Sequence, residues 1–124
     1  VKVFKNILQP LVLPFDRLPS RQKIKFKKLK VLNYGLEVKA GKFNFGKNST
    51  IAPNSLTIVY AISIANSGKS KRIYLSGLDG YPVEDPRRQE MDEVLDIYSS
   101  LKKKSELISI TPTRYKIRSL SVYA

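Results

Sequence analysis

Four segments between residues 54 and 110 carry patterns that predict, in order, a helix, a strand, a helix and a strand. Residues 54–66 form an apolar run whose length and following glycine favour a buried helix. Residues 71–76 and 107–110 form short apolar runs typical of strands, the first of the kind found in a sheet covered on both faces. A helix between two such strands favours a right-handed crossover and parallel pairing. The chain is therefore expected to be an α/β domain with a largely parallel sheet.

The second helix has the clearest signals of the four. Asp85 can cap it, Pro86 can occupy its first turn, and the helix is expected to run to about Lys103. Apolar residues at spacings of three, four and seven then lie on one face, and these are Met91, Val94, Leu95, Tyr98 and Leu101. That face is expected to pack on the sheet.

Residues 1–50 are interpreted as an extended, strand-rich part of the same domain, and residues 51–124 as its helix-strand-helix-strand part. The prolines of the first nineteen residues interrupt the apolar pairs too often for a helix, although a strand over 11–13 is expected.

Two further strands are expected over 31–38 and 42–45. They are separated by Ala40-Gly41, which suggests a hairpin, and a polar loop is expected over 46–50.

The net charge of +13 is concentrated in the first fifty residues, which carry +10 against +3 for the remainder. The densest part is 21–30, where strand spacing would align Lys23, Lys25 and Lys27 on one face. Such a stripe suits nucleic acid phosphates, an anionic glycan or an acidic neighbouring domain. A solvated face is favoured over nucleic acid, because no RNA- or DNA-binding motif accompanies it.

The chain of 124 residues contains no histidine and no cysteine. Catalysis by Ser-His-Asp, Cys-His or His-bound metals is thereby excluded within this chain, as are disulfides and thiolate metal sites. A magnesium or calcium ion bound by oxygen ligands stays open, although Asp79, Glu84 and Asp85 do not have calcium-loop spacing. No catalytic residue, metal or cofactor is therefore assigned.

No apolar run approaches the ~18 residues of a membrane span, and no leader pattern precedes the first strand. A single soluble, cytoplasmic domain is expected. The start at Val1, without an initiator methionine, favours an excised fragment of a longer protein.

The candidate site lies where the strand at 71–76 ends in a carboxylate between two glycines, Gly77 and Gly80. Because parallel strands present their carboxyl ends at one edge, the loop around Asp79 is expected beside the loop at 111–115. Glycine permits positive φ and close approach of a ligand, and Asp79 can accept a hydrogen bond from a hydroxyl group.

Two other features complete the candidate site. Arg114 with Tyr115 can close around an anion, because the guanidinium meets a phosphate or carboxylate at two points. The helix start at Asn54 and Ser55 offers amide groups to a phosphate. Local capping is the commoner use of a single Asn or Ser at a helix start, and loop turns explain Asp79 and Arg114 at least as well as a ligand does, so both interpretations stay open.

Residues 73–81, together with the helix start at Asn54-Ser55, resemble bacterial sialyltransferases that use nucleotide sugars, and the related hydroxymethylpterin pyrophosphokinases. The resemblance implies a Rossmann-like three-layer domain with a site for CMP or a diphosphate. It places Asn54 and Ser55 near phosphate or ribose, lets Gly77 and Asp79 shape the nucleotide pocket, and brings Tyr81 to a phosphate oxygen. The family's histidine base is missing, which implies a pocket without catalysis.

A longer resemblance covers residues 50–124 and is carried by 77–81, 85–91 and 110–115. These segments are similar to the C-terminal domain of bacterial 4-hydroxy-2-oxovalerate aldolase homologues that are associated with surface polysaccharide synthesis. The resemblance implies that an N-terminal aldolase barrel of the same protein is a partner, and that any lyase chemistry takes place there.

Three functions are compatible with these features of the sequence. The preferred one is a binding domain for a nucleotide sugar, a keto-sugar or another anionic metabolite. The alternatives are a stand-alone glycosyl- or phosphoryl-transferase, whose base would have to be Asp79, Glu84 or Asp85, and a structural domain that docks on the barrel or forms a homo-oligomer.

Overall fold

The computed structural model of the chain describes residues 8–123. Within this range the strands are β1 Leu11–Leu13, β2 Val31–Asn33, β3 Gly35–Val38, β4 Asn44–Phe45, β5 Ser49–Ala52, β6 Arg72–Leu75, β7 Glu106–Ser109 and β8 Arg118–Ser119. The α-helices are α1 Ser20–Lys23, α2 Thr57–Ser67 and α3 Pro86–Ser100, and short 3-10 turns cover Phe15–Arg17 and Ile24–Phe26. No described helix is long and apolar enough to cross a membrane.

Parallel pairing dominates, which confirms the predicted α/β class and is consistent with a Rossmann-like arrangement. Strand β1 pairs with β2, β3 with β5, and β7 with both β6 and β8, all in parallel. Only β4 runs antiparallel, against β5, among the strands described. The pairings are distributed over three small sheets instead of one continuous sheet.

The first two sheets are joined at Tyr34. Its amide N–H donates to the Leu13 carbonyl (3.0 Å), whereas the next amide, of Gly35, donates to the Asn48 carbonyl (2.8 Å). The chain therefore changes partner between β2 and β3, and the single strand expected over 31–38 is split at this residue.

Two predictions about the segment from 40 to 50 are wrong. Strands β3 and β4 do not form a hairpin, because β5 lies between them and pairs with both. The predicted polar loop over 46–50 instead contains the start of β5. Thr50 is buried there, and its hydroxyl donates to the Asn44 carbonyl (3.0 Å), which satisfies the polar atom inside the sheet.

The basic segment is helical, so the predicted strand-like stripe is wrong. Helix α1 continues into the 3-10 turn, and Lys23, Ile24 and Lys27 all have right-handed helical dihedral angles. Residues three and four apart therefore share a face, so Lys25, which is two residues from both Lys23 and Lys27, does not lie on their face.

Helix α2 begins two to three residues later than expected. Its N-cap is Leu56, whereas Asn54 precedes the helix and accepts a hydrogen bond from the Leu56 amide through Oδ1 (3.1 Å). The predicted end at Gly68 is confirmed. Val59, Ile62 and Ser63 are buried along the helix, as expected for an element inside the domain.

Helix α3 begins as predicted, with Pro86 in its first turn and the Asp85 side chain accepting from the Arg87 amide (2.9 Å). It ends at Ser100, three residues before the expected end. The predicted apolar face packs inward, with Met91, Val94, Leu95 and Tyr98 buried.

The Tyr98 side chain ties three elements together. Its hydroxyl donates to the Ser105 carbonyl (2.7 Å) and accepts from the Asn66 side chain (2.9 Å), whose own Oδ1 accepts from the Ser105 amide (2.8 Å). Because burial disfavours the phenolate, the pKa of Tyr98 is raised. This hydrogen-bond network connects α2, α3 and the residue before β7.

Strand β6 is covered on one face only. Leu75 is buried, but Tyr74 on the opposite face is 55% exposed, so the expectation of a strand covered on both faces is wrong.

Candidate functional site

The loops that follow β6 and β7 lie side by side, as predicted. We call residues 76–81 and 110–115 together the strand-end edge. The Ile110 amide donates to the Leu75 carbonyl (2.9 Å) and continues the parallel ladder beyond the strands. Further out, the Arg114 amide donates to the Asp79 carbonyl (2.8 Å), and the Gly77 amide donates to the Thr111 hydroxyl (2.9 Å). Direct hydrogen bonds therefore fix the two loops to each other.

Gly80 lets the two loops approach closely. It has a φ of +91°, and a Cβ atom added there would lie 3.1 Å from the Tyr115 ring and 3.2 Å from the Arg114 Cβ. Gly77 also has a positive φ, of +74°, but a Cβ atom there would meet no atom within 4 Å. The predicted conformational role of both glycines is thus present, and Gly80 has a packing role as well.

Tyr115 belongs to the core beneath the edge. It is buried with Met91 and Leu95, and Leu56 and Leu78 pack against this cluster. The ring therefore anchors its loop to α3, and leucine side chains from the start of α2 and from the β6 loop fill the space below it. A ligand would therefore bind on the outer surface of the strand-end edge, and not below the Tyr115 ring.

Arg88 joins the two loops to helix α3. Its guanidinium donates to the Tyr81 carbonyl (3.1 Å), to the Arg114 carbonyl (2.7 Å) and to the Asp92 carboxylate (2.7 Å). It also lies over the Tyr115 ring, 5.0 Å from the centroid. The side chain is only 16% exposed, so it serves mainly to hold the edge together.

Sequence reasoning did not single out Arg88. It lies in the first turn of α3, three residues before Met91, the first residue of the predicted apolar face. A usable signal is the i, i+4 pairing of Arg88 with Asp92 at the start of a helix that follows a glycine-rich loop.

Arg87 and Asp85 form a second contact with the edge. The Arg87 guanidinium is 4.2 Å from the centroid of the Tyr81 ring and 2.7 Å from the Asp85 carboxylate. Hydrogen bonds from Arg87 hold the pKa of Asp85 below its usual value. Asp85 is therefore occupied in capping α3 and pairing with Arg87, and a lowered pKa weakens a carboxylate as a general base.

Two charged side chains of the predicted site are exposed without a partner among the described residues. Neither the Asp79 carboxylate nor the Arg114 guanidinium makes a hydrogen bond or ion pair within residues 8–123. Their backbones, in contrast, are bonded to each other. One cationic and one anionic side chain, both on a fixed backbone, are thus available to an external ligand.

The helix start contributes less than expected. Asn54 lines a different groove, with Glu90 and Glu93 of α3 among its neighbours, and these carboxylates disfavour a phosphate. Ser55 is exposed, and Leu56 packs into the core under the edge. Of the helix start, only the exposed Ser55 thus stays a candidate to join Gly77, Asp79, Tyr81 and Arg114 around one ligand.

Within the described part of the chain, no group of three or more acidic side chains could hold a metal ion. Comparisons with family models, with curated proteins and with solved structures give no match to this chain.

Proposed function

We propose that this chain is a non-catalytic domain that recognises an anionic metabolite, such as a nucleotide sugar or an activated keto-sugar, at the strand-end edge. The observation that carries the proposal is that two exposed side chains without a partner among the described residues, Arg114 and Asp79, lie on two loops whose backbones are hydrogen-bonded to each other. Arginine suits phosphate and carboxylate groups, and a carboxylate suits the hydroxyl groups of a sugar.

The proposal includes the context given by the resemblance. The chain would act as the C-terminal domain of an aldolase-like enzyme in surface polysaccharide synthesis, in the cytoplasm, with the N-terminal barrel as its partner. What supports a binding role over transfer is the set of available side chains. Histidine and cysteine do not occur in the sequence, and Asp85 is paired with Arg87.

Calorimetric titration with CMP, CMP-sugars and other nucleotides tests this function. We expect saturable binding of at least one of them. Substitution of Arg114→Gln should weaken it by about tenfold or more, because a charged hydrogen bond is lost. The matched control is Lys103→Gln, which removes one exposed charge before the start of β7, at the opposite end of the strand, and should leave the affinity unchanged.

Asp79→Asn separates sugar recognition from anion recognition. It should weaken binding of a CMP-sugar but not of inorganic pyrophosphate, which has no sugar hydroxyl group to donate. Absence of binding by every nucleotide, or an equal loss in the Lys103 variant, would rule out the proposed site.

A second candidate function is docking or oligomerisation. It is supported by the last described residues, where Leu120, Val122 and Tyr123 are exposed beside a groove of about 450 Å³ that Ile110 and Pro112 also line. Strand β8 is an edge of its sheet within residues 8–123 and offers backbone groups to another strand. Light scattering over a range of concentrations tests it, and a strictly monomeric chain would exclude the homo-oligomer.

A further inference from the structure

Helix α1 and the following turn present an outward face that mixes cations with one large apolar side chain. Because residues 20–26 are helical and Lys27 keeps right-handed helical dihedral angles, Arg21, Ile24 and Lys25 share one side by their spacings of three and four, and Lys28 follows in the next turn. All four are exposed, and Ile24 is 62% exposed. We call these four residues the α1 face.

The inward side of the same turns is anchored. Phe26 and Leu29 are partly buried, and the Leu29 amide donates to the Phe26 carbonyl (2.9 Å). Lys23 is also held inward, with its ammonium 5.4 Å from the Phe15 ring centroid and donating to the Asp16 carbonyl (3.2 Å). The orientation of the α1 face is therefore fixed by contacts on its other side.

Within residues 8–123, no acidic side chain forms an ion pair with this surface. Residues 17–30 contain seven basic residues and no acidic one, and the ion pairs between described residues all lie elsewhere in the chain. The nearest carboxylate in sequence, Asp16, accepts a hydrogen bond from the Asn33 side chain (2.6 Å). The positive potential is thus available to a partner.

We propose that the α1 face binds the surface of an anionic lipid bilayer, with Ile24 entering the interface and Arg21, Lys25 and Lys28 contacting headgroup phosphates. Exposed cations attract an anionic membrane, and an apolar side chain at their centre gains by leaving water at the acyl boundary. Ile24 distinguishes this partner from nucleic acid. A branched apolar side chain adds nothing to contacts with a phosphate backbone, and the α1 face offers no aromatic side chain on which bases could stack.

Flotation of the full chain with vesicles tests the proposal. We expect binding to equimolar phosphatidylcholine and phosphatidylglycerol, no binding to pure phosphatidylcholine, and release as salt rises above about 0.1 M. The variant R21Q/K25Q/K28Q should lose about fivefold in affinity for each cation removed, or about a hundredfold together. The variant I24S keeps the charge and should lose at least about threefold.

The matched control is K102Q/K103Q/K116Q, which removes the same charge from exposed lysines outside the α1 face. It should retain most of the binding. An equal loss of vesicle binding in this variant would show that net charge alone, and not the α1 face, determines binding. If the chain does not bind the anionic vesicles, the membrane proposal is wrong and the α1 face has no such partner. If I24S binds vesicles unchanged and duplex RNA displaces the chain from them, the proposal is also wrong and nucleic acid is the partner. Neither result would affect the nucleotide titration, because the α1 face shares no residue with the strand-end edge.

Discussion

At the scale of single residues, the edge depends on Arg88 more than on any residue that the sequence marked as a ligand. Its three hydrogen bonds reach two loops and the next turn of α3. A partly buried guanidinium with carbonyl partners stabilises a fold more than an exposed ion pair does. Arg87, its neighbour, has a side chain that is 64% exposed, so the two arginines form a natural comparison.

Arg88→Ala should lower the free energy of unfolding by about 2 kcal/mol, because the loops lose their shared donor. Arg87→Ala should have a clearly smaller effect. Urea denaturation of both variants measures the difference. Equal effects of the two substitutions would show that Arg88 does not hold the edge together.

Alanine substitutions at the two glycines of the edge distinguish the cost of backbone strain from the cost of a steric contact. Gly77→Ala should cost about 1 kcal/mol from positive φ alone, whereas Gly80→Ala should cost about 2 kcal/mol or more, because its Cβ also meets the Tyr115 ring. Thermal unfolding of both variants provides the comparison. A Gly77 variant as unstable as the Gly80 variant would contradict the close approach of the two loops.

At the scale of elements, helix α3 was predictable and α1 was not. The start of α3 has a capping aspartate, a proline and an apolar stripe, and all three signals agree. In the basic segment, Lys-Ile-Lys-Phe-Lys alternates with the period of a strand, while the inward residues Phe26 and Leu29 fit a helix too. Tertiary contacts decide between two such periods, and sequence alone does not contain them.

The prediction for β5 was wrong because its first residues are polar. Ser49 and Thr50 are typical of a loop, yet the hydroxyl of Thr50 is hydrogen-bonded inside the sheet.

The candidate site was also predictable only in part. The contact between the two loops was predictable from parallel pairing. The position of Asn54 in a different groove was not, because it depends on where α2 starts.

The cap of α3 gives the fold an acid-sensitive contact. Hydrogen bonds from Arg87 lower the pKa of Asp85. Its contribution to stability is therefore complete above the unfolded value of about 3.9 and is lost as pH falls through the lower folded value. Asp85→Asn should keep the cap but abolish this part of the pH dependence, and Asp85→Ala should lose both.

Urea midpoints measured from pH 7 to about pH 2 test the prediction for Asp85. The wild type and the Asn variant should converge as pH falls. A constant difference between them across this range would mean that the carboxylate charge does not stabilise the helix start.

At the scale of the whole molecule, charge and structure divide the chain in the same way. The first fifty residues carry most of the excess charge, and residues 8–52 form the sheets and turns before α2, whereas β6, α3 and β7 form the parallel unit with the strand-end edge. The two proposed binding functions belong to different parts, and a substitution in one should leave the other intact. The loops of the edge are fixed before any ligand arrives, which lowers the cost of ordering them on binding.

The strand-end edge is tested most directly by mapping backbone amide shifts while the ¹⁵N-labelled chain is titrated with the nucleotide that binds best in calorimetry. If the two strand ends form one binding site, the shifts are saturable and confined to residues 76–81 and 111–115 and their immediate neighbours in α3. Shifts centred on residues 21–28, or no localised shifts at all, would contradict the claim that the two strand ends form one binding site.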